Sequence, residues 1–189
     1  MFFSNFYYFY EMKSSFYLQI ENSTAHRHSR DELCETALSS TKALKELFLF
    51  AFDIENKNHF KACWSLELVL EKDITLLLPH LDTFISKVKL YQHDSALRSI
   101  SKICLFVSKS KKIRLNDDQE QVLVEACLDW LIQEEKVATK AYAIRALYNF
   151  SKNKPWIKEE LRSILEQDYS LHSAAYKVVA KEVLKKINK

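Results

Sequence analysis

Apolar residues recur along this chain at i, i+3 and i+4, the period of a helix buried on one side. The pattern is clearest in LKELF from Leu44, LDTFI from Leu81, LDWLI from Leu128 and LRSIL from Leu161. Each is followed by a second amphipathic stretch, which opens on an alanine set between a polar and an apolar residue. These stretches are HFKACWSLELVL from His59, HDSALRSISKIC from His93, VATKAYAIRALY from Val137 and HSAAYKVVAKEV from His172. A first helix and a second helix thus alternate about four times. One hairpin of this kind cannot bury its apolar face alone, so several must stack. The expected fold is all-α: an α-α superhelix of about four helical-hairpin repeats.

The shared alanines are Ala62, Ala96, Ala141 and Ala175, spaced 34, 45 and 34 residues apart. Such small residues suit close helix contacts and are expected to be buried. The longer middle spacing marks an insertion near residues 109–118, KSKKIRLNDD, which is basic and expected to lie exposed at the edge of the stack. Asp117 with Glu120 reads as a capping box for the helix that follows. Pro155 and Pro79 suit the first turns of their helices. Residues 1–28 lack the repeat. Their aromatic run, MFFSNFYYFYEM, has no Lys or Arg before it and is stopped by Glu11. It fits a secretory signal poorly and is too short to span a bilayer. Met12 is an alternative start. The expected organisation is an atypical segment over 1–28 and one repeat domain over 29–189.

Composition narrows the function classes. The chain has no glycine among its 189 residues. Rossmann fingerprints and P-loops need glycine for backbone to approach phosphate, so both are excluded. Cys34, Cys63, Cys104 and Cys127 each sit in an apolar helical stretch with no CxxC pair. They read as reduced, buried thiols of a cytoplasmic protein. The net charge of +3 does not by itself imply nucleic acid.

A period of 34 also matches tetratricopeptide repeats, but those need glycine in the first helix. The looser HEAT pattern fits better. The stretches CWSLELVLEKDITLLLPHLDTFI, DSALRSISKIC, KVATKAYAIRALY and ILEQDYSLHSAAYK resemble a family of small bacterial HEAT-like proteins. Many of that family's members carry the name adenylosuccinate lyase. The resemblance implies a fold and brings no assigned catalytic residue. True lyases of that name resemble one another in a glycine-led loop containing serine, methionine, proline, lysine and asparagine. Here methionine occurs only at positions 1 and 12 and proline only at 79 and 155, so the loop is missing and lyase activity is not expected.

His59, His93 and His172 fall three residues before shared alanines and should line one edge of the stack. Helices packed about 8–10 Å apart hold them too far apart to share a zinc. His26 and His28 make only a weak HxH pair. No metal site, cofactor or catalytic residue is assigned, since no Ser–His–Asp or Cys–His pair is placed. Glu134 and Glu135, and Asp117 and Asp118, read as helix-end acids. Trp130 and Trp156 occupy apolar positions of first helices and read as core.

The basic residues are the functional lead. Arg98 with Lys102, and Lys177 with Lys181 and Lys185, form i, i+4 rows on second helices. Lys109, Lys111, Lys112 and Arg114 add a basic loop, and Trp64 stands in register with Arg98 and Lys177. Second helices of HEAT stacks usually line the concave side, so these residues make a candidate binding face. The expected function is a non-enzymatic scaffold presenting that concave, partly basic face to a protein partner, with no membrane involved. The alternative is a nucleic-acid-binding module, distantly like the HEAT-like DNA alkylation-repair glycosylases.

Overall fold

The computed structural model describes residues 14–133, 135–169 and 172–188. Met12, the aromatic run before it and Glu134 lie outside the described residues. Among the described residues ten α-helices follow one another: α1 Ser15–Asn22, α2 Arg27–Ser39, α3 Thr41–Phe52, α4 His59–Lys72, α5 Leu81–Lys87, α6 Asp94–Lys109, α7 Asp117–Ile132, α8 Val137–Phe150, α9 Pro155–Asp168 and α10 Ala174–Ile187. Two 3₁₀ segments, Ile74–His80 and Val88–Leu90, flank α5. Among the described residues there is no strand. The all-helical repeat architecture expected from the apolar period is the one observed.

Local chemistry explains the helix ends. Asn116, not Asp117, caps α7: its side chain accepts from Gln119 N at 2.8 Å, and the Gln119 side chain accepts from Asn116 N at 3.1 Å. The expected Asp117–Glu120 box is therefore corrected by one residue. An amide at position 119 can reach back as well as a carboxylate. Asp117 and Glu120 remain in the first turn, where their charge suits the helix dipole. Pro155 opens α9 as expected. Pro79 does not open a helix; it lies inside the 3₁₀ segment that precedes α5. No described residue has positive φ. Lacking glycine, helices end by stepping into extended backbone at Ser23, Ser40, Asp73, Ser110 and Gln133.

The second helices make a continuous layer in which α4 packs on α6, α6 on α8 and α8 on α10. α2 extends that layer by packing on α4. α1 packs on α3 and α4 and buries Phe16 and Ile20 in the common core. Residue 28 lies within α2. On the other layer, α3 packs on α4, α7 on α8, and α9 on both α8 and α10. The short α5 packs on α3 and α7.

The buried ridge follows i, i+4, i+7 and i+11. It runs Ala96, Ile100, Ile103 and Val107 in α6, and Thr139, Ala143, Ala146 and Phe150 in α8. In α10 it runs Tyr176, Ala180, Val183 and Ile187. Ala62 and Ala96 are fully buried as expected, but Ala141 is only half-buried and Ala175 is exposed. The equivalent positions are Thr139 and Tyr176, so the alanine register is corrected in the last two repeats. Close helix approach in α8 falls instead to Ala143 and Ala146. Ala143→Leu should therefore overpack and cost about 1–3 kcal/mol. Ala175→Leu should stay within about 0.5 kcal/mol. Equal costs in denaturant titrations would return the register to Ala141 and Ala175.

Candidate interaction surface

The residues expected on one basic face separate into three groups. Trp64 is not on an open face. It is buried on α4, with its ring edge-on to Phe60 at 5.1 Å. Phe60 in turn stacks on His93 at 4.0 Å. A large apolar ring is more stable in this contact than in water, which removes Trp64 from the candidate surface.

Arg98 and Lys102 form the second group, and they are not free. Glu67 of α4 is 1% exposed at its side chain and receives both. Lys102 Nζ donates to Glu67 Oε1 at 2.8 Å and Arg98 Nη1 to Oε2 at 3.4 Å. The Ser99 hydroxyl adds a bond to Glu67 Oε2 at 2.8 Å, and Glu71 pairs with Lys102 at 3.3 Å. Burial works against the charge on Lys102, but the Glu67 hydrogen bond and the field of both acids outweigh it and hold its pKa above the ordinary value. Two acids at i, i+4 on α4 thus face two bases at i, i+4 on α6. The row seen in the sequence is an inter-helix tie.

The third group stays open. Lys109, Lys111, Lys112 and Arg114 are exposed, as expected for the insertion. Lys181 and Lys185 are exposed on α10 and Lys177 is half-buried. Among the described residues none of these seven forms an ion pair. The loop is anchored by Ile113, which is 6% exposed. The Ser110 hydroxyl accepts from Lys112 N at 3.1 Å and Ile113 N at 3.3 Å, which closes a tight turn. Between this loop and the end of α4 lies a cleft of about 400 Å³. Leu70, Ile74 and Phe106 supply its apolar lining, with Lys72, Lys109, Lys111 and Lys112 around it.

The histidines stand near the starts of second helices, as their spacing implies. His59 opens α4 and donates from Nδ1 to the Asn56 carbonyl at 2.8 Å. His93 caps α6, accepting from Ser95 N at 3.2 Å. His172 packs on Tyr176 with ring centroids 4.1 Å apart. His28 meets Glu32 at 3.1 Å. Among the described residues no cluster of three His, Cys, Asp or Glu could hold a metal. All four cysteines are buried and free. Burial pushes the thiols of Cys34, Cys63 and Cys104 up, away from the reactive thiolate. Trp130 is core, but Trp156, in the first turn of α9, is 46% exposed. No helix of the described residues is long and apolar enough to cross a membrane.

The repeat geometry has a counterpart in sequence: the HEAT repeat domain family matches residues 20–187. The chain belongs to that family. The match begins inside α1, so it takes in α2 and all four hairpins read from the periodicity. It concerns the repeat fold and brings neither lyase chemistry nor a bacterial origin. No curated protein and no solved structure matches the chain.

Three features of this surface were missed from sequence. Glu67 left a usable signal, because an acid inside the apolar run WSLELVL has nowhere to go but the core. Ile113, alone between Lys112 and Arg114, signalled an anchored loop. Lys72 and Phe106 left none, since only the packing of α4 on α6 brings them together.

Proposed function

We propose that this HEAT repeat chain is a non-enzymatic scaffold that recognises a protein partner through the surface around the 110–116 loop. The observation that supports the reading is the display of Lys109, Lys111, Lys112 and Arg114. Four exposed cations share one pinned segment and form no ion pair among the described residues, and Lys109, Lys111 and Lys112 border a partly apolar cleft. Charges held in place lose little freedom on binding. Four buried thiols, none in a disulfide, suit a reducing compartment such as the cytoplasm.

Nucleic acid is the second reading, and the unpaired row Lys177, Lys181 and Lys185 on α10 favours it. Against it, Arg98 and Lys102 are tied to Glu67 and interrupt any basic track between the two ends. Titration with duplex and single-stranded DNA at two salt concentrations separates the readings. A scaffold of this kind should bind DNA weakly. Tight binding that falls by roughly 0.9 log units per log unit of salt for each duplex phosphate contact would replace the protein reading. Co-purification from native cells, followed by crosslinking, should recover a protein partner in fixed stoichiometry. Failure to recover one would sink the scaffold reading.

Replacing Lys109, Lys111, Lys112 and Arg114 by serine should leave unfolding stability within about 0.5 kcal/mol, because the four side chains are exposed and form no ion pair among the described residues. A large loss would mean that they pack against the repeats.

A further inference from the structure

We propose that the cleft between the C-terminal ends of α4 and α6 binds an acidic peptide segment carrying one apolar anchor residue. The inference rests on the scaffold reading and names the part of the partner that is recognised.

Charge complementarity carries it. Two acids, Glu71 and Asp73, border the cleft together with four lysines. Asp73 accepts from the Thr75 hydroxyl at 2.7 Å and from Thr75 N at 3.0 Å, which holds its carboxyl below the usual range. Glu71 is paired with Lys102. Lys72 and Lys109, in the last turns of α4 and α6, partly offset the negative ends of those helices. Lys111 and Lys112 form no ion pair among the described residues, although the field of Lys112 reaches Asp73. Four lysines against Glu71 and Asp73 leave the rim with a net charge of +2, which favours an approaching carboxylate.

The lining decides between classes of polyanion. A nucleic-acid groove offers a continuous basic track and several aromatic faces. Here the track ends where Arg98 and Lys102 turn to Glu67. The one ring in the lining, Phe106, already has Lys102 Nζ 5.3 Å from its centroid. The cleft's apolar floor is a shallow hollow of Ile74 and Phe106 over the buried Leu70, and on its rim lysines outnumber acids. An apolar side chain enters the hollow while flanking carboxylates meet Lys109, Lys111 and Lys112. The turn at Ser110 and the buried Ile113 hold those lysines in place beforehand.

The test uses fluorescence anisotropy with the full chain and four labelled probes. They are a short Glu/Asp peptide with one central Phe, the same peptide with Ser for Phe, a neutral peptide with the Phe, and single-stranded DNA of matched charge. The first peptide should bind, and loss of its Phe should weaken it about tenfold or more. Lys109→Ser, Lys111→Ser and Lys112→Ser together should weaken it about tenfold, with an unchanged circular dichroism spectrum. Phe106→Ala should also weaken it while leaving its salt dependence unaltered. Tighter binding of DNA, equal binding of the Ser-substituted peptide, no binding of the first peptide, or full affinity in the triple lysine variant would each overturn the proposal. Recovery of one native partner by both wild type and the triple variant would also overturn it while leaving the scaffold reading in place. Recovery of none by either would remove the scaffold reading itself.

Discussion

Phe84→Ala should cost about 3–5 kcal/mol, the usual range for a fully buried aromatic ring. Phe84 has no exposed surface, and its ring centroid lies 6.3 Å from that of Phe52. The position matters more than the area alone implies. α5 has seven residues, too few for a stable isolated helix, and 3₁₀ segments interrupt it on both sides. Only tertiary anchors hold it between α3 and α7: Phe84, Leu81, and the adjoining Leu77 and Val88. Removing the largest of them leaves a cavity that a segment so short closes only by leaving its place. At about 2–4 °C per kcal/mol for a chain of this size, the melting temperature should fall by roughly 10 °C. A fall below about 3 °C would mean that α5 contributes little to the stack and that α3 and α7 hold the outer layer without it.

The helices themselves were legible because burial on one side imposes a period that needs no tertiary knowledge. Both LDWLI and LRSILEQ declare their faces. Register was less legible. α8 holds alanines at 138, 141, 143 and 146, and nothing local says which of them faces the neighbouring helix. The buried ridge there starts at Thr139, a residue whose hydroxyl argued against the core. α2 was hidden for a different reason. It buries only Leu33, Cys34 and Ala37, so its apolar face is narrow and gave no repeat signal, although it packs on α4. For the surface, the sequence told which residues carry charge and not what neutralises them. Lys102 and Lys109 lie seven residues apart on one helix. One faces a buried acid thirty-five residues back in the chain, and the other faces water.

Glu67→Ala should cost about 2–4 kcal/mol. Removing one partner of a buried ion pair leaves the other charge uncompensated, which costs about 3–5 kcal/mol in a fully closed site. The figure here is lower because Lys102 keeps 17% and Arg98 37% side-chain exposure, and Lys102 still reaches Glu71. The Ser99 hydroxyl also loses its acceptor, within a helix contact closed to water. Combining Glu67→Leu with Lys102→Met should restore part of the loss, with a coupling of about 1 kcal/mol or more. The pH dependence has a definite sign. The folded-state pKa of Lys102 is raised, so its contribution is complete below the ordinary lysine value of about 10.4 and is lost only as pH rises through the folded value. On the alkaline side, the difference between wild type and Glu67→Ala should therefore persist from neutral pH and narrow in strong alkali. Chemical denaturation at a series of pH values measures both. A cost below about 0.5 kcal/mol would mean that α4 does not hold Arg98 and Lys102. Those two cations would then be open to a ligand, and the basic track toward α10 that favours nucleic acid would be restored.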